Sequence, residues 1–114
     1  MPHFIIDCSE NILTIISSEA ILREVHDTAE ATGLFKKGDI KVRIRTFKDF
    51  IVGNIRSDFI HVFGNIMEGR STDQKANLSK EIVKKLKSMF PEVPVISINI
   101  REFEKATYCN RNMV

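Results

Sequence analysis

The sequence predicts an α+β domain: two β-α-β units forming a four-stranded mixed sheet with both helices on one face. Three observations carry this. The chain has 114 residues, enough for one domain with a core and too few for two. An apolar run, a helical apolar stripe and a second apolar run follow one another twice along the chain. Each stripe is preceded by a serine suited to cap a helix, and each crossover helix implies a parallel strand pair.

Taken in order, residues 3–8 read as a strand and 9–16 as a connection. Ser17 or Ser18 offers an N-cap, with Glu19 in the favoured first turn. Ile21, Leu22, Val25 and Ala29 then form a stripe toward Thr32, and Gly33 marks its end. In a strand over about 39–47, Ile40, Val42 and Ile44 alternate with Lys41, Arg43 and Arg45, so one face is apolar and the other cationic. A turn or short hairpin is expected around Gly53-Asn54, and a third strand over about 58–67. Ser71 and Gln74 make a capping box. Leu78, Ile82, Leu86 and Met89 line the second helix, which Pro91 and Pro94 end. A fourth strand spans 95–100, and the polar tail is expected to form an arm or a short hairpin. The sheet face away from the helices lacks cover, so an apolar surface and an oligomer are expected.

Composition excludes several classes. A net charge of +2, with 43% apolar and 28% charged residues, gives no basic excess for nucleic acid. The run from Lys80 to Lys87 sits at helical spacing and reads as a solvated helix face. No segment approaches the roughly 20 apolar residues of a membrane span, and the N-terminus has no signal-peptide pattern. Cys8 and Cys109 suggest neither a disulfide framework nor a zinc site. The reading is a reduced, cytoplasmic protein. His3 and His61 lie on apolar strands and read as packed, hydrogen-bonded histidines, and His26 lies on a helix surface. Phe47, Phe50, Phe59 and Phe63 read as core or interface.

Pro2 is the residue with chemistry to offer. If Met1 is removed, Pro2 carries a free secondary amine at the head of an apolar strand. With its pKa near neutrality, that amine takes a proton from one substrate atom and returns it to another.

Met1 to Ile12, Ala31 to Phe35, and Ile66 to Lys75 with its Glu-Gly-Arg-Ser turn together resemble the tautomerase superfamily. The similarity is closest to 5-carboxymethyl-2-hydroxymuconate isomerase. The resemblance implies a homotrimer with sites near subunit boundaries and a cofactor-independent shift of enol to ketone in an unsaturated 2-hydroxy carboxylic acid. It implies Pro2 as general base and Arg70 as the arginine of the turn. Lys41 stands where the isomerase has an arginine, with Arg43 two residues on, and these two are the candidates for a second substrate-binding cation. No metal or cofactor is implied; the partners are a small carboxylate and further copies of the chain. The same scaffold also suits phenylpyruvate-like enols, haloacrylates, or a non-catalytic trimeric module.

Overall fold

A computed structural model describes residues 1–114 throughout. The element order is β1 (His3–Ser9), α1 (Ile12–Ile15), α2 (Ser18–Ala31), β2 (Lys41–Phe47), β3 (Phe59–Met67), α3 (Thr72–Met89), β4 (Val95–Phe103) and a final 3₁₀ turn, Arg111–Met113. The sheet order is β2-β1-β3-β4. β1 runs parallel to β2 and antiparallel to β3, and β3 runs parallel to β4. Two β-α-β units therefore meet back to back at β1 and β3. No helix is long and apolar enough to cross a membrane.

The core follows from the period-2 alternation of the central strands. Phe4, Ile6 and Cys8 of β1 and Ile60, Val62 and Ile66 of β3 are buried against the helices. Ile21, Val25 and Ala29 of α2 and Leu78, Ile82 and Leu86 of α3 meet them, as the stripes predict. Gly64 also faces this layer. A Cβ there would stand 2.7 Å from Ile100 Cδ1 and 3.2 Å from the Phe4 ring, so the close fit of strand on core uses the missing side chain.

The caps behave as the sequence implies. Ser17 accepts from the Ala20 amide at the start of α2. At α3 the Ser71 hydroxyl accepts from the Gln74 amide (3.1 Å) while the Gln74 side chain accepts from the Ser71 amide (2.9 Å). Ser71→Ala is therefore expected to lower stability by about 1 kcal/mol, read from the denaturant midpoint at unchanged m-value. The Gly53-Asn54 turn is a tight hairpin: both residues have positive φ (55° and 67°), and Val52 and Ile55 exchange two backbone hydrogen bonds.

Several expectations change. The segment 9–16 is not a plain connection, because Ile12–Ile15 makes one helical turn that drops Ile12 into the core. β4 continues to Phe103, three residues beyond the apolar alternation, held by parallel pairing with Asn65, Ile66 and Met67. Of the two forms expected for the tail, the hairpin is absent: the segment makes a turn and a short 3₁₀ segment, and Tyr108 rests on Phe103 (ring centroids 5.9 Å).

The uncovered sheet face is present but is not an apolar surface. It presents Lys41, Arg43 and Arg45 from β2, His3 and Asp7 from β1, and His61 and Asn65 from β3, with Ile5 and Phe63 between them. Arg45 grips Asp7 with two hydrogen bonds of 2.7 and 3.0 Å. His61 donates from Nε2 to Asn99 Oδ1 and accepts at Nδ1 from the Ser97 hydroxyl, both at 2.6 Å, against the Phe63 ring. None of the four phenylalanines from 47 to 63 is buried: Phe59 and Phe63 lie on this open face, and Phe47 and Phe50 flank Phe59.

Burial pushes the Cys8 thiol up to about 11, helped by the nearby Asp7 and Asp58 charges. Cys109 is exposed. One thiol is expected to react with a disulfide reagent at pH 8 in the folded protein and two after denaturation; two fast thiols in the native state would contradict this packing.

Candidate active site at the head of strand 1

The parallel register of β1 and β2 builds this site. His3 pairs with Lys41, and the Lys41 amide donates to the Pro2 carbonyl (3.0 Å). That bond pins the chain terminus to the start of β2. Pro2 is buried, so the strand begins inside the packed domain and not on a loose tail.

Around the terminus stand two cations and one carboxylate. The Met1 ammonium lies 3.5 Å from Asp39 Oδ2. Its pKa is held below the usual α-amine range, chiefly by burial; Asp39 pulls it up, while Lys41 and Arg70 push it further down. Lys41 and Arg70 therefore both act electrostatically on the chain terminus.

Arg70 reaches this place through the turn between β3 and α3. Gly69 takes a φ of 120°, which a side chain would resist, and this lets Arg70 turn back toward the segment after α2. Its Nη2 donates to the Leu34 carbonyl (2.6 Å) and its Nη1 to the Met67 carbonyl (3.3 Å). Its guanidinium also lies 5.1 Å from the centre of the Phe35 ring. Three contacts fix its orientation, and the side chain remains half-exposed.

The second-strand cations divide. Lys41 Nζ donates to the Asp39 carbonyl (2.7 Å) and approaches Met1 Sδ (3.9 Å), so it leans toward the terminus. Arg43 instead donates from Nη1 to His3 Nδ1 (3.0 Å). An arginine only donates, so His3 is the neutral tautomer with its proton on Nε2. Burial first, then Arg43, Lys41 and the terminal ammonium, lower the His3 pKa.

The fold thus gathers Pro2, Lys41 and Arg70 at one point and sets Arg43 beside them. Sequence reasoning missed Asp39 as a member of the cluster, and His3 as the partner of Arg43. Both follow only from the register of β1 with β2, which no local pattern reveals. Two large grooves of the single chain lie elsewhere. One, of about 640 Å³, runs between α2 and α3; the other, of about 740 Å³, lies near Asn11, Phe50 and Arg56. Neither includes Pro2, Lys41, Arg43 or Arg70; Lys41 and Arg43 are exposed and Arg70 is half-exposed.

Comparison with known proteins gives this arrangement a family. An Escherichia coli protein named 5-carboxymethyl-2-hydroxymuconate Delta-isomerase is 27% identical over 92 residues, covering 79% of this chain and 73% of its own. A crystal structure of a 5-carboxymethyl-2-hydroxymuconate isomerase from Deinococcus radiodurans R1 superposes with a TM-score of 0.83 at 20% identity, over 96% of this chain and 88% of that one. A structure described as a fused 4-OT wild type symmetric trimer superposes at 0.77 and 12% identity, over 98% and 95%. At those identities the two structures speak for the tautomerase fold alone. The family profile for 5-carboxymethyl-2-hydroxymuconate isomerase matches residues 2–114. A buried proline at the head of β1 and an arginine on the turn into α3 thus sit in a chain that belongs to the 5-carboxymethyl-2-hydroxymuconate isomerase family, a family of isomerases within the tautomerase superfamily.

Proposed function

We propose that the chain, once Met1 is removed, interconverts enol and keto forms of an unsaturated 2-hydroxy carboxylic acid of the 5-carboxymethyl-2-hydroxymuconate type. Pro2 is the general base. Its neutral nitrogen takes the proton from the 2-hydroxyl, the electron pair moves along the conjugated chain, and the same proton is delivered to a carbon to leave a ketone. Arg70 balances the negative charge that develops on the way. Arg43 or Lys41 holds a further carboxylate. The chemistry balances without metal or cofactor, because a proton only changes its place.

The observation that carries this reading is electrostatic. At the Met1 terminus, which is partly buried, burial, Lys41 and Arg70 lower the amine pKa while Asp39 raises it, and Pro2, the next residue, is itself buried in the same surroundings. A base is most effective when its pKa lies near the working pH. The test is a pH–rate profile on a simple enol acid, paired with the intact mass of the mature N-terminus. Turnover should rise with pH through a pKa below that of a free proline amine and then level off. A rate that keeps climbing past pH 9 would remove Pro2 as a tuned base.

The uncovered sheet face supports assembly as well, and one structural neighbour is described as a trimer. We therefore assign a homotrimer with the site near a subunit boundary. Sedimentation should give three times the 13.1 kDa chain mass; a monomer that retains full activity would refute the assignment. The free, unpaired cysteines suit a reduced cytoplasm, and the small net charge suits a small carboxylate partner and not nucleic acid.

A further inference from the structure

We infer that His3 is a positioning residue that aims Arg43 at the second carboxylate of the substrate; the inference rests on the function proposed above.

Three observations carry it. First, Lys41 is directly opposite His3 in the β1–β2 register, yet its ammonium is drawn away to the Asp39 carbonyl. The cation that meets His3 is Arg43, one diagonal step along the same face, at 3.0 Å from Nδ1. Second, the His3 ring packs against an aromatic neighbour. The Phe103 ring stands against it edge to face, at 6.0 Å and 89°, and Tyr108 backs Phe103. This contact favours the ring orientation in which Nδ1 meets Arg43. Third, His3 takes only one edge of the guanidinium. The remaining N–H groups of Arg43 stay exposed on the open face, with no other side-chain partner in the chain. Arg45, two residues on, differs because Asp7 occupies it with two bonds. Of the two arginines of β2, Arg43 alone is both oriented and available to an incoming carboxylate, with a planar fork that the Lys41 ammonium lacks.

The chemistry favours a neutral imidazole in this role. A carboxylate at position 3 would neutralise Arg43 and compete with the substrate. Imidazole orients the guanidinium and leaves its charge in place. The charged groups facing His3 are Arg43 and Lys41 on β2 and the chain terminus; β3 offers Asn65 opposite it and β4 offers Phe103. All the charges among them are positive, so nothing nearby favours the imidazolium.

The test compares His3→Phe, His3→Gln and Arg43→Ala, each alone, and the His3→Phe/Arg43→Ala double variant. Two quantities are measured: steady-state kinetics on a dicarboxylate enol, and the Kd for adipate, an unreactive dicarboxylate. His3→Phe keeps the aromatic contact with Phe103 and removes the acceptor. It should raise KM and the adipate Kd about tenfold, with a smaller fall in kcat. His3→Gln, which restores an acceptor oxygen, should recover most of the loss. The double variant should be no worse than Arg43→Ala alone, because the two residues act as one unit. The inference is overturned if His3→Phe leaves both constants unchanged, if His3→Gln fails as badly as His3→Phe, or if the two losses add. Wild-type protein that binds adipate through His3 and Arg43 but turns over no enol would sink the proposed function and leave this inference standing. Active wild type with additive losses would do the reverse. Far-ultraviolet circular dichroism of each variant separates misfolding from lost aim.

Discussion

A chain that keeps any residue in front of Pro2 is expected to lose enol-to-keto turnover by about 10²–10⁴-fold, the usual contribution of a positioned acid–base group. Acylating the proline nitrogen delocalises its lone pair into an amide and removes the base outright. The fold should survive, because Pro2 contributes its carbonyl to the β1–β2 pairing through the Lys41 amide whichever residue precedes it. Pro2→Ala should move the rate in the same direction. The sign of the pH effect follows from the site. The amine works when deprotonated. Burial, Lys41 and Arg70 outweigh Asp39 in lowering the pKa of the Met1 amine, and the same surroundings are expected to depress the Pro2 amine, so activity should be lost as pH falls through that depressed value and be full above it. Rate measurements on protein whose N-terminal mass is verified decide the matter, and undiminished turnover with Met1 in place would end the proposal.

Arg70→Ala carries the second large effect. A single oriented donor to a developing oxyanion is worth roughly 10²–10³ in rate, and kcat/KM on a carboxylate enol should fall by about that factor. Arg70 also ties the Leu34 and Met67 carbonyls together, so part of any loss is architectural. A neutral enol separates the two contributions. If Arg70 acts on charge, the neutral substrate loses far less than the carboxylate; equal losses would reduce Arg70 to a structural strut. Arg70→Lys should not rescue, since a point charge cannot span two carbonyls and stack on Phe35 together.

How much of this was legible beforehand depends on whether the signal is local. The central strands were readable because Phe4, Ile6 and Cys8, and Ile60, Val62 and Ile66, repeat with the period of a pleat. The α3 start was readable because a capping box is a four-residue pattern. The Gly53-Asn54 turn was readable because few other residue pairs accept two successive positive φ values. What needed the third dimension was the company each residue keeps. The α1 turn is only four residues, too short to show a period, and it is held by where Ile12 lands. The open face was misjudged because β3 was read as apolar throughout, whereas its outward positions alternate aromatic with polar groups, including His61 and Asn65. The candidate site was half visible. Pro2 and Arg70 were marked by position and by the Glu-Gly-Arg-Ser turn. The division of labour between Lys41 and Arg43 was not, because it depends on Lys41 folding back to the Asp39 carbonyl two residues before it while Arg43 meets His3, 40 residues away in sequence.

β2 is an outer strand of the sheet, and its unpaired backbone edge is a ready template for another strand. Lys41 and Arg43 lie along it without a carboxylate partner, whereas Asp7 pairs Arg45, so two such edges brought together would set unpaired positive charges against one another. These side chains thereby guard the edge against ladder-like polymerisation. Neutralising them would shift the protein toward aggregates, and the effect would deepen as salt screens whatever charge remains.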